Sequence, residues 1–184
     1  MFGSKGPARI AVFISGAGST LQALCEMSYQ LQIALVVSNK TQALGLLKAK
    51  RFGISTYCFS NKNSNYDELT NLLSKHRIDR IFLAGYMKIL PEQFVNDWQG
   101  KIDNIHPSLL PSFKGLNSAY RSWFESDQMG VSIHRVSVEM DEGPLRSQQV
   151  ALQRFKNKID FSEASILLRR TEQHLLRDYA LRWV

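Results

Sequence analysis

The stretch Asn104-Ile105-His106-Pro107-Ser108-Leu109-Leu110-Pro111 holds an amide, an imidazole and two prolines within eight residues. If Ile102 to His106 forms a short strand, its side chains alternate, so Asn104 and His106 point to one side and Ile105 to the other. An imidazole exchanges a proton near neutral pH, and a side-chain amide donates hydrogen bonds to a developing oxyanion. That pair suits acyl transfer. Pro107 and Pro111 end the strand and stiffen its exit, because each fixes φ and lacks an N–H. A strand end carrying a hydrogen-bonded Asn and a half-buried His fits the same residues, so the other elements must decide between the two.

A carboxylate is available further along. Met140-Asp141-Glu142-Gly143-Pro144 reads as an acidic turn, and a carboxylate there can orient His106 and stabilise its imidazolium form; a solvated turn is the plainer alternative. Before it, Val131 to Val136 alternates as a strand with His134 on its polar face. A second candidate site lies near the start of the chain. Arg9 to Ser15 is a continuous apolar strand, and Gly16-Ala17-Gly18-Ser19-Thr20 leads from it into a helix. The unpaired N–H groups at such a helix start attract anions, and the hydroxyls of Ser19 and Thr20 are placed to help, although a plain strand-to-helix turn reads the same way. The stretch is neither a Walker A loop nor a full dinucleotide-binding fingerprint.

The elements that position these residues follow a βαβ rhythm. Strands are predicted at Ile33 to Ser38, Thr56 to Phe59 and Ile81 to Ala84, and helices at Ala43 to Phe52 and Tyr66 to His76. Alternating strands and helices predict an α/β domain with a parallel sheet, whose ligands gather at the carboxyl ends of the strands. That brings Gly16 to Thr20, the loop Gly85 to Lys88, and Asn104 to His106 to one edge. A helix through Phe124, a strand after the acidic turn through about Leu152, a basic loop at Arg154, Lys156 and Lys158, and a terminal helix from Ser162 to Val184 complete the chain. Residues through Pro7 read as a loose terminus.

The chain has 184 residues, 44% hydrophobic and 21% charged, which predicts a single folded domain and excludes disordered and fibrous classes. Its net charge of +7 favours an anionic partner without choosing among a phosphorylated metabolite, a polycarboxylate and nucleic acid. Cys25 and Cys58 are isolated, with no metal-ligand spacing, so neither disulfide nor zinc is expected and the thiols fit a cytoplasmic protein. The apolar run Ile10 to Ile14 is too short to cross a membrane.

Three motifs, Ser-Gly-Ala-Gly-Ser-Thr-Leu-Gln, Leu-Ala-Gly-Tyr-Met-Lys-Ile-Leu and Asn-Ile-His-Pro-Ser-Leu-Leu-Pro, followed by Asp-Glu-Gly-Pro, resemble the phosphoribosylglycinamide formyltransferases of the folate-dependent formyltransferase superfamily. The resemblance covers nearly the whole chain. It implies a Rossmann-like formyltransferase fold on a mostly parallel, mixed sheet, with residues 8–103 as a nucleotide-binding-like half and 104–184 as a catalytic and folate-binding half. It further implies formyl transfer from 10-formyltetrahydrofolate to the amine of glycinamide ribonucleotide in purine biosynthesis. Asn104, His106 and Asp141 match the catalytic set. Gly18, Ser19, Thr20, Pro107 and Gln173 fall on the phosphate and ribose side; Met87, Lys88, Ile89, Leu90, Met140, Glu142 and Gly143 line the pterin, with His134 close to the folate. The resemblance implies no metal, no nucleic acid and no membrane, and a monomer or homodimer.

The chain departs from the family pattern at several positions. Gln173 stands where the family has a Glu that contacts the ribose, with Glu172 beside it, and Asn117 and Ala119 stand where it often has His. Val138 replaces an acidic residue. These changes leave the chemistry intact and bear on the acceptor. An amine other than glycinamide ribonucleotide, such as an amino-sugar nucleotide, is the alternative acceptor, and a non-catalytic folate- or nucleotide-binding protein is the alternative class. A tRNA-formylating relative is expected to carry an added RNA-binding domain, and a formyltetrahydrofolate hydrolase an added regulatory one.

Overall fold

The first strand, β1 (Arg9–Ile14), is apolar on both faces and becomes the centre of the sheet. Its even-numbered residues Ile10, Val12 and Ile14 join one core cluster and Ala11 and Phe13 the other, as a period of two requires. A strand buried on both faces needs helices on both, and the chain supplies them. In the computed structural model, which describes residues 7–27, 31–59, 66–153 and 159–183, the order after β1 is α1 (Ser19–Cys25), β2 (Gln32–Ser38), α2 (Leu44–Arg51), β3 (Ser55–Cys58), α3 (Tyr66–Lys75) and β4 (Arg80–Leu83). Then come α4 (Glu92–Asp97), β5 (Ile102–His106), α5 (Ser118–Glu125), β6 (Gln128–Arg135), β7 (Leu145–Gln153) and α6 (Phe161–Ala180), with a 3-10 turn at Leu181–Trp183. The basic loop read at 154–158 and the terminus read at 1–6 lie outside the described residues.

The seven strands form one sheet in the order β3-β2-β1-β4-β5-β6-β7. Strands β1 to β5 pair in parallel, while β6 and β7 join antiparallel, so the sheet is mixed. The chain winds outward from β1 to β3 and resumes on the other side at β4, which makes the β1/β4 boundary the topological switch where doubly wound sheets hold ligands. Ser15 ties the loops there together. Its N–H donates to the Gly85 carbonyl at 3.1 Å, its hydroxyl donates to Asn39 at 2.6 Å, and the Met87 N–H donates to that hydroxyl at 2.7 Å.

Helix α6 covers one face and begins with a capping box, in which Asp160 accepts from the Glu163 N–H at 2.9 Å while Glu163 accepts from the Asp160 N–H. The sequence predicts this helix over Ser162 to Val184, whereas α6 runs Phe161–Ala180 and gives way to the 3-10 turn, and the sequence pattern alone does not pick out α4. That helix follows Pro91, carries Glu92 in its first turn and buries Phe94 and Val95, which are helix-start and core signals in a segment of only six residues.

One contact joins the fold to the site. Gly18, at φ +67°, caps α1 in the left-handed region and packs directly on Gly45 at the start of α2. A Cβ on Gly45 would lie 2.4 Å from Ile14 Cδ1 and 3.2 Å from Gly18 Cα. Gly45→Ala is therefore expected to lower the unfolding free energy by about 1–3 kcal/mol, read as a reduced urea midpoint at unchanged slope. An unchanged midpoint would show that the two turns move apart freely.

Candidate active site

Strand β5 ends at His106, and the strand period places Asn104 and His106 on one face with Asp103 and Ile105 on the other. The antiparallel neighbour β6 sets His134 directly opposite Asn104, and Ser132 opposite His106. The turn after β6 then brings Asp141 over both imidazoles. Its Oδ2 lies 3.4 Å from His106 Nδ1, and its Oδ1 lies 3.4 Å from His134 Nε2. The Gly115 N–H donates to Oδ2 at 2.8 Å. Gly143 makes the turn possible, since a Cβ there would sit 1.8 Å from the Arg135 carbonyl oxygen.

Hydrogen-bond partners fix the ring protons. His134 Nδ1 lies 3.0 Å from its neighbour's carbonyl, Arg135 O, and donates to it, and Nε2 accepts from the Asn104 amide at 3.1 Å. His106 differs. Its Nε2 faces the Phe113 carbonyl at 3.0 Å and its Nδ1 faces Asp141, so both nitrogens meet acceptors and only the imidazolium satisfies both. Burial nevertheless pushes the His106 pKa below the ordinary imidazole value, and the Phe113 carbonyl and Asp141 offset only part of that. The ring rests neutral at pH 7 beside groups prepared to receive its second proton. Burial alone would raise the Asp141 carboxyl, but its contacts with His134, the Gly115 N–H and His106 outweigh that and hold the group at about 2. Asn104, His106, His134 and Asp141 thus bring an amide, two imidazoles and a carboxylate together in a mostly buried setting.

The loop after β5 is anchored by hydroxyls. Ser132 donates to the Ser108 carbonyl at 2.7 Å and accepts from the Leu110 N–H at 2.9 Å, and Ser108 donates to the Ser112 carbonyl at 2.7 Å. Pro107 is half-buried at the strand exit, and the Leu110–Pro111 bond is cis. A cavity of about 180 Å³ opens beside Asp141, lined by Leu110, Pro111, Lys114, Glu142, Gly143 and Leu145.

Other residues singled out from the sequence take different places. Thr20 is buried and turns its hydroxyl away from the loop to Glu172, at 2.5 Å, because α6 packs on α1 at that point. Burial pushes the Glu172 carboxyl up, and Thr20 and Arg169 offset only part of the shift. Gly18 and Ser19 stay half-exposed, and Gln173 shares with Ser19, Gln22 and Glu26 a polar depression of about 130 Å³. Met87 and Ile89 are 68% and 72% exposed, and Met140 is half-exposed, so these three remain free to meet a ligand. Leu90 instead fills the core between β4 and α4, and Lys88 swings over the rings of Phe59 and Tyr66 at 5.7 and 5.8 Å. Glu142 is held by Lys114 at 3.0 Å and Gly143 by its backbone crossing. His134 lies against Asn104 and Asp141. Only its position on the polar face of a strand pointed there; the cross-strand register that pairs it with Asn104 is a tertiary fact.

The low Asp141 pKa has a consequence for stability. Its folded value of about 2 lies below the unfolded carboxylate value of roughly 4, so its ionised form stabilises the fold above that unfolded value, and the contribution fades as pH falls toward 2. Asp141→Asn is expected to flatten the loss of stability between those two pH values in urea titrations. A wild-type slope retained in the variant would place the acid-range transition on other carboxylates.

Comparison with known proteins follows the same outline. The Formyl transferase family matches residues 8–164. The phosphoribosylglycinamide formyltransferase of Haemophilus influenzae is 42% identical over 147 residues, covering 74% of this chain and 69% of that protein. The trifunctional purine biosynthetic protein adenosine-3 of Homo sapiens is 42% identical over 156 residues, 79% of this chain but only 15% of that much longer protein. Among solved structures, the phosphoribosylglycinamide formyltransferase of Anaplasma phagocytophilum superposes with a TM-score of 0.86 at 37% identity, covering 92% of this chain and 83% of that one. Glycinamide ribonucleotide transformylase 1 of Geobacillus kaustophilus gives 0.88 at 29% identity, covering 96% and 98%. With its sheet, its site loops and most of its length matched, the chain belongs to the formyl transferase family.

Proposed function

We propose that the chain transfers the formyl group of 10-formyltetrahydrofolate to the primary amine of glycinamide ribonucleotide, as the names of its relatives suggest. The observation that carries the reading is the closed set Asn104, His106, His134 and Asp141, in which an amide donor and a neutral imidazole backed by a carboxylate face the same side. The folate is a co-substrate, consumed in the reaction. A new carbon–nitrogen bond forms to the amine, the bond to the folate nitrogen breaks, and the proton leaving the amine ends on that folate nitrogen.

The residues divide this work. Asn104 spends one amide hydrogen on His134, which fixes its orientation and leaves the other for the oxyanion of the tetrahedral intermediate. His106 takes the proton from the attacking amine and returns it to the leaving nitrogen, and Asp141 stabilises the imidazolium between the two steps. To reach the formyl group the ring must exchange its contact with the Phe113 carbonyl for the substrate. Among the described residues no cluster fits a metal ion, and the proposed chemistry uses none. In this reading Gly18 and Ser19 receive the phosphate, Pro107 and Gln173 lie on the ribose side, and Met87, Ile89 and Met140 contact the folate. Residues 8–103 then serve chiefly the nucleotide and 104–184 the chemistry. The setting we infer is cytoplasmic; no described helix is long and apolar enough to cross a membrane.

The acceptor is tested by incubating the protein with 10-formyltetrahydrofolate and synthetic glycinamide ribonucleotide and measuring tetrahydrofolate and formylated product in equal amounts. Turnover confined to amino-sugar nucleotides would reassign the acceptor, a change that Gln173 in place of a ribose-binding carboxylate makes chemically reasonable. The roles of His106 are tested alongside. His106→Ala is expected to lower kcat by about 100-fold or more with little change in folate affinity. In the wild type, activity falls as pH drops and His106 is protonated, with a midpoint below the ordinary imidazole value because burial lowers its pKa. An acid limb centred above that value would assign the proton transfer to another group.

A further inference from the structure

Behind the site, on the far face of the sheet, a carboxylate is enclosed where a strand of this kind ordinarily buries a hydrocarbon. Asp103 is 0% exposed, with Arg135 Nε at 3.3 Å from Oδ1 and Arg80 Nη1 at 3.7 Å from Oδ2. Tyr179, reaching across from α6, donates its hydroxyl to Oδ2 at 3.1 Å, and Arg146 interacts with Tyr179 in turn. Burial pushes the Asp103 carboxyl up, and Arg135, Tyr179 and the two other arginines offset only part of that. Arg135 is itself fixed at its other end by the Gly100 carbonyl.

Stability alone gives a poor account of this arrangement. Dehydrating a charge inside a protein is costly, and a packed apolar pair of the same volume is often as stable or more so. What an ion pair adds is register. Asp103 stands opposite Arg135, and the next rung of the same ladder sets Asn104 opposite His134. That ladder has only four rungs, Asp103 to His106 against Arg135 to Ser132. A slip by one residue would turn Asn104 and His106 to the wrong face. On the other side of β6 the pairing with β7 shifts between Ile133 and His134, so β7 does not hold this end of β6 in a regular ladder.

We propose that Asp103 is a positioning residue for formyl transfer: paired with Arg135 and bonded by Tyr179 behind the sheet, it sets the β5–β6 register that holds Asn104 against His134. The proposal rests on the transferase reading for its link to turnover, so the test includes a readout that needs no activity. Three full-length variants are compared with the wild type: Tyr179→Phe, Asp103→Asn, and the double variant Asp103→Leu with Arg135→Leu. For each, the thermal midpoint, the kcat and both KM values are measured, together with the ring nitrogen NMR shifts of the four histidines.

The double variant is expected to keep a thermal midpoint close to the wild type. Its His106 and His134 nitrogen signals should move while His76 and His174 stay in place, and kcat should fall about tenfold or more with each KM within about twofold. Tyr179→Phe, the mildest change, should displace the same two signals by less, which keeps the test decisive if the other variants do not fold. Unmoved His106 and His134 signals in folded variants would overturn the proposal. A wild type without transfer activity would count against the transferase reading alone, because the ring signals would still report the register.

Discussion

The site depends on the Asp141 carboxylate being held between two imidazoles and a backbone N–H. Each contact constrains a different part of the chain. His106 brings the end of β5, His134 brings β6, and Gly115 brings the loop that follows β5. The carboxylate sits at φ +56°, a left-handed conformation that a non-glycine residue adopts only where its surroundings compensate the strain. The contacts with His106, His134 and the Gly115 N–H keep its pKa near 2. The adjacent Lys114–Glu142 ion pair fastens the same loop and turn one residue along on each side. That pair is partly exposed and contributes little by itself, whereas the buried contacts of Asp141 define where the turn lies.

The sheet topology explains why two distant sequences share one edge. Winding outward from β1 and then resuming at β4 leaves the carboxyl ends of β1, β4 and β5 on one side. Ser15 joins the first two through backbone and hydroxyl hydrogen bonds, and β5 follows β4 in register. Adding β6 antiparallel reverses the chain, so that His134 enters from the opposite direction and meets Asn104 across the ladder.

Much of this was legible in the sequence because it follows from local periodicity. The period of two puts Asn104 and His106 on one face, and the runs at Ile10 to Ile14 and Ile81 to Ala84 read as buried strands. The acidic turn announced a carboxylate near the imidazole. The less legible features depend on which elements touch. Thr20 read as a phosphate ligand because hydroxyls at helix starts often are, but the packing of α6 gives its hydroxyl a buried partner in Glu172. Leu90 lies in a segment whose Met87 and Ile89 are exposed, yet it joins the core cluster that holds Phe94. Asp103 drew no notice as a charge next to an apolar residue, since its arginine and tyrosine partners come from β4, β6 and α6. Periodicity names the face; only the assembled sheet names the neighbour.

The central claim is that Asp141 acts through His106 rather than on its own, and a double-mutant cycle in single-turnover formyl transfer tests it most directly. With His106→Ala, Asp141→Ala and the double variant compared at one pH, groups that work as a unit give a double variant about as slow as the slower single one. That is the result predicted here. Losses that multiply across the two sites would show that the carboxylate and the imidazole contribute independently, and would contradict the account.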